Sequence, residues 1–281
     1  MSRIHQAMQR ARKQGWATDP LPSGVQQRPP EEVARCGPST LVAQDADPPK
    51  KGPQEEPARR DFTELTETKT VPDSRLVALS NTTCDGLRDK LCCAKADLQA
   101  GGSDLKTILI TSVSIADGKS LISVNLSISI SKAPDQKVLL VDANLRSPSL
   151  HRMLGIPREN GLADLLRGTV AAQQVISRTD ISNFYAVTAG SMVENPCELL
   201  NTRKMSDFLA LAKKHFDWVF LDSPSLRPEP DADLMSAMVD AVVLVTRNSR
   251  SCAGPLRDSI GMLHGRNVLG VVLNNVDVKP V

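Results

Sequence analysis

KTILITSVSIADGKSLISV, residues 106–124, is an apolar run that gives way to a short polar loop and then resumes at helical spacing. Residues 106–113 predict a strand, and the pattern from Lys119 onward predicts a helix over 119–132. The junction reads Thr111-Ser112-Val113-Ser114-Ile115-Ala116-Asp117-Gly118-Lys119-Ser120. Strand, loop and helix in that order form a cradle for phosphate, because backbone N–H groups and the helix N-terminus face the anion. Lys119 is placed to reach the β- and γ-phosphates, and the Ser120 hydroxyl to ligate Mg²⁺. The general pattern is G-x-x-x-x-G-K-[ST], with Val113 standing at its first glycine. Ser114, Ile115, Ala116, Asp117, Gly118, Lys119, Ser120 and Leu121 are the candidate nucleotide-binding stretch.

Outward from the loop, further apolar runs predict strands at 137–143, 183–189, 217–223, 240–246 and 267–274. Helical patterns fall near 197–215, 231–238 and 254–264. Short, fully apolar strands alternating with helices predict an α/β fold: a doubly wound, mostly parallel sheet of the P-loop NTPase type. Ligands of such sheets bind at the carboxyl ends of the strands. Two of those ends are acidic: VLLVD stops at Asp142 and WVFLD at Asp222. A carboxylate behind four apolar residues needs a partner, and Mg²⁺ beside a phosphate loop supplies one. Taken alone, either aspartate is an ordinary helix cap or turn former. With Lys119 they make the candidate catalytic set, and with Ser120 the candidate metal set. ATP and Mg²⁺ are the expected cofactors.

Composition sets the limits. Of 281 residues 41% are hydrophobic and 23% charged, as in a soluble globular protein. Aromatics are 3%, with Tyr185 the single tyrosine, which argues against a reader of single-stranded nucleic acid by base stacking. Tyr185 lies in a predicted strand and reads as a core residue. The net charge of +2 implies no polyanionic partner, so no nucleic acid is expected. Six cysteines are scattered without a CxxC pair, which predicts reduced, mostly buried thiols in the folded domain. No apolar run approaches the roughly 18 residues that cross a bilayer, and no secretory signal is present, so the expectation is cytoplasmic. Residues 1–16 predict a short amphipathic basic helix with Arg3, Arg10, Arg12 and Lys13. Residues 17–75, rich in Pro and charge, predict a disordered linker, and 76–281 the ATP-binding domain.

Over about residues 75–281 the chain resembles the bacterial tyrosine kinases of exopolysaccharide synthesis, the CpsD/CapB-like group related to the MinD/ParA ATPases. The family's TSxxPGEGKS aligns with Thr111 to Ser120, its DxDxR with Asp142-Ala143-Asn144-Leu145-Arg146, and its D[ST]PP with Asp222-Ser223-Pro224-Ser225. Gly190 to Asn201 is similar to the family's G…NPxELL segment, and Asn274, closing GVVLN, resembles the position that contacts adenine. MSRIHQAMQRARKQG resembles the opening of kinases encoded with exosortase-associated polysaccharide loci.

The resemblance implies phosphoryl transfer from Mg·ATP to protein tyrosine. It also implies a transmembrane chain-length or polysaccharide co-polymerase partner at the inner face of the membrane, and homo-oligomers. Departures from the pattern point to a weaker catalyst, an ATP-binding regulator of a polysaccharide assembly complex. Ile115 and Ala116 replace Pro-Gly, and Asn144 replaces the second aspartate. Asp85, Arg88 and Leu91 keep only the central arginine of an ExxRxxR oligomerisation motif, and no tyrosine cluster precedes Val281. A MinD/ParA-like ATPase is a third reading, against which Ser114 stands where those proteins carry a signature lysine.

Overall fold

The structure, a computed structural model, describes residues 66–67, 83–247 and 253–274. Its elements in chain order are β1 (Thr66–Glu67), α1 (Thr83–Ala100), β2 (Thr107–Ser112), α2 (Lys119–Ser131), β3 (Val138–Asp142), α3 (Leu150–Leu154), α4 (Leu162–Arg167) and α5 (Ala172–Val175). There follow β4 (Ser177–Arg178), β5 (Phe184–Val187), α6 (Pro196–Leu200), α7 (Arg203–His215), β6 (Trp218–Asp222), α8 (Asp231–Ser236), β7 (Ala241–Arg247), α9 (Ala253–Met262) and β8 (Val268–Asn274).

The strands form one sheet in the order β1-β4-β5-β3-β6-β2-β7-β8. Every pair is parallel except β4 with β5. The six apolar runs of the sequence are thus β2, β3, β5, β6, β7 and β8. Successive residues of these runs enter opposite faces. Leu109, Leu139, Val141, Val219, Leu221, Val242 and Leu244 pack with Met205, Phe208, Leu209 and Ala212 of α7. Ile108, Ile110, Val138, Leu140, Phe220, Val243 and Val245 pack with Leu126 and Ile130 of α2 and Leu91 of α1. Two covered faces explain why β2, β3, β5, β6 and β7 carry no polar alternation; β8, at the edge of the sheet, is apolar but partly exposed.

Several details differ from the expectation. The helix expected over 197–215 is two helices, because the backbone at Thr202 turns extended (φ −103°, ψ 154°) after the last i→i−4 bond, from Asn201 N–H to Cys197 O at 3.0 Å. α1 carried no sequence signal strong enough to be read, and α3, α4 and α5 are shorter than a window of helical period resolves. Of the described cysteines only Cys84 is buried; Cys92 and Cys93 are exposed, so the expectation of mostly buried thiols does not hold. Both lie on a helix that covers the sheet with one stripe only, through Leu87, Leu91 and Leu98. Tyr185 is half-buried in β5, its ring edge-on to Phe216 at 5.3 Å.

Within the stretch read as linker, Thr66–Glu67 pair with Ser177–Arg178. The remainder of 17–75 and the basic helix at 1–16 lie outside the described residues. Among the described residues no helix is long and apolar enough to cross a membrane.

Candidate functional site

β2 lies between β6 and β7, so its carboxyl end opens at the middle of the sheet. The chain leaves it through Val113 and turns into α2, whose first residue is Lys119. Two left-handed residues make the turn: Ala116 at φ +65° and Gly118 at φ +89°. Gly118 also leaves room for Asn274, whose Nδ2 would stand 2.1 Å from a Cβ there and would have to leave Asp117 O. Ala116 has no such excuse, and a left-handed alanine costs roughly 1 kcal/mol. Ala116→Gly is therefore expected to raise the unfolding free energy by about 0.5–1 kcal/mol, checked by denaturant melts of both forms.

The loop is tied from several sides. Asp117 is buried, and its Oδ2 accepts the Ser114 N–H at 2.8 Å, so this carboxylate closes the loop rather than facing a ligand. Asn274 Nδ2 donates to Asp117 O at 2.8 Å, and Arg247 Nη2 to Ala116 O at 2.6 Å. Arg247 was not singled out in the sequence; as the last residue of β7 its link to the loop follows from the sheet order alone. Ile115 is 74% exposed at the tip.

Asp142 and Asp222 are register partners at the ends of the adjacent strands β3 and β6, and both are fully buried. Asp142 Oδ2 accepts the N–H groups of Ser149 at 3.1 Å and Leu150 at 3.0 Å, which hangs the start of α3 on this carboxylate. Asp222 Oδ1 accepts from Ser123 Oγ at 3.1 Å. Asp142 Oδ1 and Asp222 Oδ2 are buried without a partner. Burial, and then the charge of Asp222, push Asp142 up to about 7. Burial pushes Asp222 up to about 6, opposed by the Ser120 hydroxyl and the Lys119 charge.

Two orphaned carboxylate oxygens side by side beside the Ser120 hydroxyl fit a hard divalent cation. Among the described residues no three His, Cys, Asp or Glu form an all-protein metal cage.

Of the residues singled out in the sequence, Ser114 to Leu121, Asp142, Asp222 and Asn274 all gather at this one end of the sheet. Asn144 is buried and its Oδ1 accepts the Ser147 N–H at 3.2 Å, which holds the turn after β3. Arg146 grips Asp231 through Nε at 2.7 Å and Nη2 at 3.1 Å, with Glu229 at 3.2 Å. Ser123 and the amides of Ser149 and Leu150 escaped the sequence reading, because a serine inside an apolar helix and two backbone groups carry no signal. In α1, Arg88 pairs with Asp85 at 3.2 Å, and Asp85 accepts from Ser129 Oγ at 2.7 Å.

Comparison with known proteins gives the same picture. No protein-family model matches the chain. Tyrosine-protein kinase CpsD of Streptococcus pneumoniae serotype 4 is 32% identical over 189 residues, 65% of this chain and 82% of CpsD. Tyrosine-protein kinase etk of Escherichia coli is 32% identical over 171 residues, 60% of this chain but 23% of etk, so the chain spans about a quarter of that longer relative. Among solved structures, the chimerical protein CapA2B2 aligns with a TM-score of 0.66 at 26% identity, over 75% of this chain and 94% of the other. The septum site-determining protein MinD of Pyrococcus horikoshii, complexed with Mg-ADP, aligns with a TM-score of 0.53 at 25% identity, over 62% and 71%. At 32% identity over 82% of CpsD's length, the chain belongs to the CpsD/CapB-like family of bacterial tyrosine kinases.

Proposed function

We propose that the chain binds Mg·ATP at the end of β2 and transfers the γ-phosphoryl group to protein tyrosine within an exopolysaccharide assembly system. The observation that carries this is the pair of orphaned carboxylate oxygens, Asp142 Oδ1 and Asp222 Oδ2, beside a strand–loop–helix phosphate cradle. With the Ser114 amide held by Asp117, the loop amides from Ile115 to Leu121 bind the phosphates, and Lys119 neutralises charge on the β- and γ-phosphates. Ser120, Asp142 and Asp222 hold Mg²⁺, which when bound offsets phosphate charge. Asn274 borders the adenine. Asp142 orients the acceptor phenol and takes its proton. The bond from the tyrosine oxygen to the γ-phosphorus forms as the bond from that phosphorus to the bridging oxygen breaks, and the electron pair leaves with ADP. Tyr185, edge-on to Phe216 in β5, is a packing residue, so the acceptor belongs to another protein. A cytoplasmic place at the inner face of the membrane, beside a transmembrane chain-length or polysaccharide co-polymerase protein, follows the same reading, as does assembly into homo-oligomers through α1. Apart from Thr66–Glu67, which pair with the sheet, residues 17–75 serve it as a linker.

A second reading, a regulator that binds ATP and turns it over slowly, is favoured by the left-handed Ala116 and the neutral Asn144. Incubation with labelled ATP and Mg²⁺, with and without the neighbouring membrane protein, followed by mass spectrometry, separates the two. The kinase reading expects phosphotyrosine on the partner and little on the chain itself. Bound ATP with no phosphotyrosine under either condition supports the regulator. Ile115→Pro with Ala116→Gly and Asn144→Asp, which restores the family pattern, is expected to raise turnover if loop and metal site limit the rate.

A further inference from the structure

A cavity of about 470 Å³ extends from the phosphate loop, at Ala116 and Gly118 to Leu121, across to Ser149, Arg152 and Met153 on the far side. Its far wall is α3, which Asp142 holds through the Ser149 and Leu150 amides. Asn274 and Arg247 reach the loop from β8 and β7, and neither lines this cavity. In the sheet, β3 and β7 lie on opposite sides of β2, so α3, which follows β3, flanks the loop away from Asn274. A base placed at Asn274 leaves the α3 flank for a second reactant.

The chemistry of that flank is specific. Leu121 and Met153 are half-buried apolar side chains packed on the core, suited to the faces of an aromatic ring. Ser149 Oγ is buried without a partner. Arg146, Arg158 and Arg167 are each engaged, by Asp231, Gly190 O and Met192 O. Arg152, by contrast, has no side-chain partner among the described residues. The field around it is positive: burial first, then Arg158 and Arg152, push His151 below the ordinary imidazole value. An exposed cation at the mouth of a partly apolar cavity, with no carboxylate of the described residues against it, recognises an anion from outside.

We infer that the α3 side of this cavity, beyond the phosphates, is the acceptor half of the site and takes a tyrosine flanked by acidic residues: the ring lies against Leu121 and Met153, and Arg152 pairs with a flanking carboxylate. This rests on the phosphoryl-transfer reading above. Arg152 is then a specificity residue, which selects and places the acceptor and does not touch the reacting atoms.

The test uses two labelled peptides with one central tyrosine, one flanked by glutamates and one by lysines. Their binding to the full chain is followed by fluorescence anisotropy, with Mg²⁺ and a non-hydrolysable ATP analogue. The wild type is expected to prefer the glutamate peptide. Arg152→Ala should weaken that peptide about fivefold, the upper range for a solvent-screened ion pair. Arg152→Lys should keep the preference and Arg152→Glu should reverse it, all with unchanged melting temperature. Equal affinity for both peptides in the wild type and in Arg152→Glu overturns the inference. Parallel phosphotyrosine assays separate it from the kinase reading. Arg152-dependent peptide binding without phosphotyrosine keeps the acceptor surface and removes the kinase. Phosphotyrosine formed regardless of flanking charge and of Arg152→Glu keeps the kinase and removes the acceptor surface.

Discussion

Lys119→Ala is expected to weaken Mg·ATP binding roughly 10- to 100-fold, the loss of one charge-assisted hydrogen bond of about 1.5–3 kcal/mol to phosphate. The fold should survive. Lys119 is half-buried at the first position of α2, a helix held by the burial of Ile122, Val124, Leu126 and Ile130. Alanine is also the better helix former. Removing the cation leaves the cradle's amides and the two carboxylates in place, so affinity falls while melting of the nucleotide-free protein stays within about a degree. Calorimetry and thermal melts on the same samples check both halves. Unchanged affinity in a folded variant would remove Lys119 from the site.

Asp222→Asn should act in the opposite sense on stability. The carboxylate is fully buried, shares its site with Asp142 and leaves Oδ2 unpaired. Burial raises its pKa from 3.8 to about 6, so between those values the folded chain holds more protons than the unfolded one. Stability from this group is therefore present at low pH and lost as pH rises through about 6. The amide keeps an acceptor for Ser123 and carries no charge to desolvate. The nucleotide-free variant should then melt about 2–6 °C higher at pH 7 than the wild type, with a flatter dependence on pH. The same change removes a metal ligand, so the rise in melting temperature that Mg·ATP gives the wild type should largely vanish. A variant that melts lower without ligand and still responds fully to Mg·ATP would contradict the assignment of Asp222.

The sequence made much of this visible because two-sided burial leaves a plain mark. β2, β3, β6 and β7 are continuous apolar runs buried on both faces, β8 is an apolar run at the partly exposed edge, and the end of each run tells where the strand stops. Lys119, Asp142 and Asp222 were legible as charges at those ends. What stayed hidden depends on three-dimensional neighbours. α1 covers the sheet with a sparse stripe of Leu87, Leu91 and Leu98, and the rest of its surface is polar enough to mask the period. The break between the two helices is the extended backbone of the single residue Thr202, invisible in a pattern of apolar spacing. Asp117 looked like part of the ligand surface, yet its carboxylate is spent on the Ser114 amide. Arg152 and Ser149 follow the second motif by only a few residues, but their place beside Lys119 depends on the packing of α3 against the loop.

Titration of the full chain with ATP, in Mg²⁺ and again in excess EDTA, tests the central claim most directly. The paired carboxylates and the phosphate loop predict one nucleotide per chain and an affinity that drops at least tenfold when the ion is removed. Saturable binding that is indifferent to EDTA, or no binding in Mg²⁺, would contradict a site in which Asp142 and Asp222 hold the metal beside Lys119.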